Sequence, residues 1–290
     1  MNAGTALTEK STLQSGVAKE MRPTFRFSDI WKAPLHDLQI RDEILFQYFP
    51  LAGDTQLLEI GPGSGFTAFH LARQIQSITA VDVAAGNIAS LRRDIQDRPN
   101  VNFEVADMCA PGLNKVLPKQ FDKAIGIEIF EFLPDPAMCL KNVASVLRKG
   151  GSLMLNFANY PPPKNAGVSY FKDRRELVKI FEDAGFTDVE IYALKLNPWA
   201  QFVYDTCHEK PIRLYRRLRD RRGSYKPQTY DETWAHKTRT RLDVMKVPLN
   251  LVWYIVSSLM RLGGRCFKRQ LLGEEILGHN LLVIAKLEQV

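Results

Sequence analysis

The stretch that decides the fold runs Leu57-Leu58-Glu59-Ile60, then Gly61-Pro62-Gly63-Ser64-Gly65, then a helical pattern from Phe66, then Ile78-Thr79-Ala80-Val81-Asp82. It reads as strand, glycine-rich turn, helix and second strand with a carboxylate at its tip, the opening βαβ unit of a nucleotide-binding sheet. Glycine at 61, 63 and 65 admits positive φ and lets a ligand come close to the main chain. Asp82 follows Gly65 by 17 residues, near the distance at which a strand-tip carboxylate can accept both hydroxyls of a ribose. No Lys or Arg lies between Gln56 and Arg73, and no Gly-Lys-Ser/Thr ends the turn, which argues against a nucleoside triphosphate. The dinucleotide pattern G-x-G-x-x-G is absent as well, because position 66 is Phe.

Working outward, the periodicity predicts helices over 66–76, 87–97, 137–147 and 173–184, alternating with strands at 101–105, 121–127, 152–157 and 189–194. A last strand is expected over 280–286. Arg148-Lys149-Gly150-Gly151 ends a helix with cations and a glycine pair, a C-terminal cap. Ahead of the first strand, residues 21–50 are too apolar for a solvated tail and are expected to form a helical cap, which Pro50 stops. Residues 1–20 are polar, of mixed charge and without an apolar stretch, so they read as a mobile tail rather than a secretory signal.

Glu59-Ile60-Gly61-Pro62-Gly63-Ser64-Gly65, the Phe121-Asp122 strand, the turn Glu128-Ile129-Phe130-Glu131-Phe132-Leu133-Pro134-Asp135-Pro136 and the strand entry Leu147-Arg148-Lys149-Gly150-Gly151 resemble, in order and spacing, class I S-adenosylmethionine-dependent methyltransferases of the small-molecule type. The resemblance covers residues 51–194 and the last strand. It implies an α/β fold: a Rossmann-like seven-stranded sheet with helices on both faces. It also implies a cofactor, S-adenosylmethionine, and a set of contacts. Gly61, Gly63 and Gly65 would line its methionine and ribose side, with Glu59 bracing the turn. Asp82 and Val83 would meet the ribose side, and Asp107 with Met108 the adenine. Glu128 would sit near the sulfonium and the acceptor. A hydroxyl acceptor needs its proton removed, and the candidate bases are Glu128, Glu131, His36 and His70, the last of which has a packing role as its alternative.

Two neighbouring patterns point away from other chemistries. Asn156 to Pro163 resembles the Asn-Pro-Pro-Tyr signature of base-methylating enzymes, but it follows the fifth strand instead of the fourth, so Asn159 and Tyr160 are read as acceptor-pocket residues. Some relatives carry Glu-x-x-Glu-His after the fourth strand, where Phe132 stands here, and no metal is expected. Cys109, Cys139, Cys207 and Cys266 lack any C-x-x-C spacing, which favours a reducing compartment and a cytoplasmic location over a zinc site.

The net charge of +7 is concentrated. Residues 195–279 carry 17 Lys/Arg against 8 Asp/Glu, a net of +9, while the rest of the chain is slightly acidic. This segment interrupts the expected final hairpin and is too long for a structureless loop, so it is predicted to be a helical accessory insertion. Within it, Pro211 to Arg222 reads as a basic helix. Val247 to Met260 is mostly apolar and too short to cross a bilayer; it reads either as a core helix of the accessory part, with the arginines as its solvated face, or as a segment lying in a membrane interface. Three functions remain open at this point. They are methylation of a small-molecule or lipid-linked acceptor, with peripheral membrane association; methylation of RNA through the basic insertion; and a non-catalytic module that binds S-adenosylmethionine.

Overall fold

The computed structural model describes residues 31, 47–117, 120–161, 169–211 and 232–288. The expected tail, His36, most of the expected cap over 21–50 and the basic run 212–222 lie outside the described residues.

Strand β1 (Gln56–Ile60) is followed by α1 (Phe66–Leu71), β2 (Ser77–Asp82), α2 (Ala85–Asp94), β3 (Val101–Val105), the single turn α3 (Leu113–Val116) and β4 (Phe121–Ile127). A 3-10 turn (Phe130–Phe132) leads to α4 (Pro136–Val146), β5 (Leu147–Asn159), α5 (Arg174–Glu182) and β6 (Phe186–Leu196). Then come α6 (Pro198–Tyr204), a short π-helical turn (Asp205–Glu209), the long α7 (Glu232–Arg261), β7 (Phe267–Leu271) and β8 (His279–Leu287).

These strands form one sheet in the order β3-β2-β1-β4-β5-β8-β6-β7. The β1 to β5 ladders are parallel, whereas β8 runs antiparallel to both β5 and β6, and β7 antiparallel to β6. The expected seven strands are therefore eight. The extra one lies inside the insertion, so that segment is not wholly helical. Its sequence, Phe267-Lys268-Arg269-Gln270-Leu271, leaves four of five residues exposed at the sheet's edge and has no inward apolar face to announce it.

Period-two alternation distributes the strand side chains between two cores. Leu58, Ala124, Leu153 and Leu155 face one cluster with α4 and α5, while their neighbours Leu57, Ile125 and Met154 face the other with α1 and Leu51. Asp122 pins the bottom of the sheet: its carboxylate accepts from the Gln56 amide at 2.8 Å and from Arg148 at 2.5 Å, joining the starts of β1, β4 and β5. Helix entry is set by side-chain caps. Asp135 accepts from the Met138 amide at 2.9 Å with Pro136 at the first position, and Asn197 accepts from Ala200 at 2.8 Å with Pro198 likewise placed.

Candidate active site

The chain order reverses between β1 and β4, because β2 and β3 lie to one side of β1 while β4 and β5 lie to the other. Sheets of this kind bind ligands at that reversal, outside the carboxyl ends of the strands. The glycine turn, Asp82 and Glu128 all leave those ends.

The three glycines have different duties. A Cβ on Gly61 (φ 64) would stand 2.7 Å from Cγ1 of Ile129, and one on Gly65 (φ 79) would stand 2.5 Å from Cδ2 of Leu91. Both are close-packing positions. Gly63 (φ 54) has nothing within 4 Å of its would-be Cβ, so the turn opens there to a ligand.

Asp82 ends β2 with both carboxylate oxygens oriented. Oδ1 accepts from the Ala84 amide at 2.9 Å and Oδ2 from the Asn87 side chain at 2.8 Å. Asn87 also donates to the Gly63 carbonyl at 3.1 Å, so a residue that sequence reasoning did not single out couples the glycine turn to the strand-tip carboxylate. The signal was local: Asn87 lies in the first turn of α2, whose Ala84 cap supplies no side-chain bond. Val83, beside Asp82, is 66% exposed, an apolar surface at the rim.

Past β3, Asp107 is exposed and its carboxylate accepts from the Cys109 amide at 2.8 Å. Met108 is buried in the larger core, and its carbonyl accepts from Asn142 at 2.9 Å, which ties this loop to α4. Burial pushes the Cys109 thiol up from its ordinary range; its bond to the Asp135 carbonyl opposes this, and the Asp107 and Asp135 charges add to it. Glu59 is buried in β1, in register with Ala80 and Ile125.

After β4, Glu128 is exposed and adopts φ 51, a left-handed conformation unusual for a side-chain-bearing residue. Its amide donates to the Asn156 carbonyl at 2.6 Å, holding the bend against β5. The next residue is Ile129, the one that packs on Gly61, so the bend and the glycine turn are neighbours. Such conformations cost on the order of 1–3 kcal/mol and cluster at functional sites.

Glu131, three residues on, is only 5% exposed and accepts from the Ala158 amide at 3.4 Å. It supports the end of β5, while Phe132 beside it is 59% exposed. Asn159 is fully buried: its amide group donates to Phe171 and Ile276 carbonyls and accepts from the Phe171 amide, a structural bridge rather than a pocket wall. Tyr160 and Tyr170 are exposed at the same edge. His70 packs in α1, its ring 4.1 Å from that of Phe66. Among the described residues, no group of three or more His, Cys, Asp or Glu is placed to hold a metal ion.

Gly63 leaves open space, Asp82 offers an oriented carboxylate acceptor, and Val83 gives an apolar rim, a set of groups that could receive a hydroxyl-bearing ligand such as a nucleoside.

Comparison with known proteins agrees with the geometry. Residues 58–155 match the model of a methyltransferase domain family. The chain is similar to the ubiquinone biosynthesis O-methyltransferase of Xanthomonas euvesicatoria, 27% identical over 186 residues, covering 57% of this chain and 77% of the relative. It is also similar to the enzyme of the same name from Albidiferax ferrireducens, 30% identical over 132 residues, covering 44% of this chain and about half, 51%, of that relative. Among solved structures, phosphoethanolamine N-methyltransferase 2 of Haemonchus contortus, in complex with S-adenosyl-L-methionine, superposes with a TM-score of 0.48 at 17% identity, covering 86% of this chain and 52% of that one.

Proposed function

We propose that this protein, a methyltransferase by the domain spanning residues 58–155 and a user of S-adenosylmethionine, methylates a hydroxyl group on a small aromatic acceptor carrying an apolar substituent. The observation that carries this reading is Glu128, held in left-handed backbone at the sheet's reversal and adjoining the glycine turn through Ile129. The names of the relatives support the hydroxyl as acceptor, since they are O-methyltransferases of ubiquinone biosynthesis. The exposed rings of Phe132, Tyr160 and Tyr170 support an apolar, aromatic acceptor.

When bound, S-adenosylmethionine supplies a methyl group on a sulfonium, already activated for displacement. The chain's task is to hold and align. Gly63 would admit the donor, Asp82 would accept from its ribose, Asp107 would accept from its adenine amine, and Val83 would add an apolar contact. Glu128 would hold and take the proton of the acceptor hydroxyl, so no free alkoxide or phenoxide has to form in water. Glu131 and Asn156 keep the bend that carries Glu128 in place. The exposed aromatic residues position the acceptor and exclude water, the contribution that orientation makes to any bimolecular step.

The test is release of S-adenosylhomocysteine with a panel of phenols and catechols, with and without a prenyl chain, with the product mass identifying the methylated atom. Turnover with catechols that rises with the apolar chain supports the reading. Methyl transfer to amines, and none to hydroxyls, would overturn it.

A further inference from the structure

The carboxyl-terminal half of α7 is apolar on its outer as well as its inner side. Toward α6 it buries Val256 and Met260, and Asn250 and Ser257 are buried as well, 1% and 0% exposed. Outward it presents Leu251, Val252, Ile255, Leu259 and Leu262, spaced three and four residues apart along one face, with Leu262 reaching 75% exposure. A helix on an ordinary solvated surface keeps charged and polar side chains on its outer face instead.

Helix α6 enlarges the face. Trp199 and Phe202 are both exposed, with ring centroids 5.9 Å apart, and the Trp199 indole donates to the Leu259 carbonyl at 2.7 Å. Gly263 lets the ring lie flat against the end of α7, because a Cβ there would stand 2.6 Å from it. The apolar surface is thus continuous across two helices and larger than the scattered exposed residues of a typical soluble surface.

Its charge is one-sided. Between residues 244 and 271 stand Lys246, Arg261, Arg265, Lys268 and Arg269, with no Asp or Glu. Arg265 and Lys268 are exposed just past the helix. An apolar face with aromatic rings and a basic margin is complementary to the interface of an anionic bilayer. No described helix is long and apolar enough to cross a membrane, so the contact would lie in the surface plane.

Position adds a reason for such a contact. Helix α6 leaves the carboxyl end of β6, which is parallel to β5, and α2 leaves the carboxyl end of β2; α7 touches both helices. At about 1.5 Å per residue a helix of 30 residues reaches about 45 Å, enough to pass over that edge of the sheet. The apolar face therefore belongs to an element that touches two helices leaving the carboxyl edge of the sheet, the edge that also carries Asp82 and Glu128.

We infer that the outward face of α7 and α6 docks this protein on an anionic lipid surface, bringing the site edge to where an apolar acceptor would be dissolved. The inference rests on the surface alone and needs no particular acceptor. The experiment is co-sedimentation of the full chain with vesicles of phosphatidylcholine, and of phosphatidylcholine with phosphatidylglycerol at three to one, beside sedimentation velocity without lipid. The intact protein is expected to bind the anionic vesicles at least about tenfold better than the neutral ones. Ile255→Glu with Leu262→Glu, both on exposed positions, is expected to abolish binding while melting temperature and S-adenosylhomocysteine affinity stay unchanged.

No binding by the intact protein would overturn the proposal. A dimer without lipid that the double variant turns into monomers would overturn it in favour of a second copy. Vesicle binding that the double variant retains would show that another surface is responsible. An intact protein that binds the anionic vesicles but transfers no methyl group to any hydroxyl acceptor would count against the proposed function and leave this inference standing.

Discussion

Asn87 donates its side-chain amide to the Asp82 carboxylate at 2.8 Å and, from the same nitrogen, to the Gly63 carbonyl at 3.1 Å. The glycine turn and the tip of β2 are thereby fixed relative to one another. Asn87→Ala is expected to weaken S-adenosylhomocysteine binding by about fivefold, the worth of roughly 1 kcal/mol of pre-organisation. Asp82→Ala removes the acceptor itself and is expected to cost about 10- to 100-fold, as for a charge-assisted hydrogen bond. Calorimetric titration separates the two; unchanged affinity in Asp82→Ala would remove Asp82 from the site.

Gly63 and Gly65 should respond oppositely to the same substitution. Gly65→Ala places a Cβ 2.5 Å from Leu91 and 2.7 Å from Ile95, both buried, and is expected to destabilise the fold by about 1–3 kcal/mol. Gly63→Ala meets no atom and pays only for its left-handed backbone, about 1 kcal/mol, but narrows the ligand's approach. Urea unfolding and ligand affinity measured on both variants check this. The larger stability loss belongs to Gly65→Ala and the larger affinity loss to Gly63→Ala.

At Glu128 the backbone and the side chain can be tested apart. Glu128→Gln should lower kcat about 10²- to 10⁴-fold for a hydroxyl acceptor, with cofactor affinity little changed. Glu128→Gly should be more stable than Glu128→Ala by about 1 kcal/mol, because only glycine adopts φ 51 without penalty. Equal stabilities would mean that the bend stores no strain; unchanged kcat in Glu128→Gln would assign the proton to another group.

Thiol reactivity should rank by environment. Cys207 is exposed, while burial pushes the Cys139 thiol well above the ordinary range and the Cys109 thiol less far. A raised pKa leaves less thiolate at a given pH, and the thiolate is the nucleophile. Mass-resolved alkylation near pH 8 is expected to label Cys207 first, then Cys109, with Cys139 last in the native protein. Raising the pH should speed the labelling of Cys109, whose thiol burial holds protonated above its ordinary range. Its amide bond to Asp107 gives a second outcome, slower labelling of Cys109 when S-adenosylhomocysteine is bound.

The parallel half of the sheet was legible because its signals are local. Glycines ended β1, Pro136 and Asp135 opened α4, and apolar runs marked strands buried on both faces. Strand β7 was not legible: an edge strand made of Lys268, Arg269 and Gln270 has no core-facing alternation, and its identity comes from pairing with β6. The two carboxylates after β4 show the same limit within the site. Sequence spacing treats Glu128 and Glu131 alike. The left-handed turn at Glu128 and the 3-10 turn that follows leave the first exposed and bury the second, and both depend on contacts with β5. Asn159, read as an acceptor-pocket residue from the pattern that follows the fifth strand, instead satisfies backbone groups of Phe171 and Ile276.

Strand β8 lies between β5 and β6, and its Leu281, Leu282, Val283 and Ala285 belong to both cores. Until residues 279–287 arrive, β6 and β7 have no ladder joining them to the rest of the sheet. During synthesis, β1 to β5 are complete by Asn159, whereas β6 must wait for its ladder with β8, made more than 80 residues later. Closing so large a loop is slow, and the waiting β6–β7 pair exposes an unpaired edge in the meantime. The step that completes this sheet is therefore the one most exposed to misassociation in a crowded cell. A chaperone that shields β6 would be expected to raise the yield of the protein more than any stabilisation of its nucleotide-binding half.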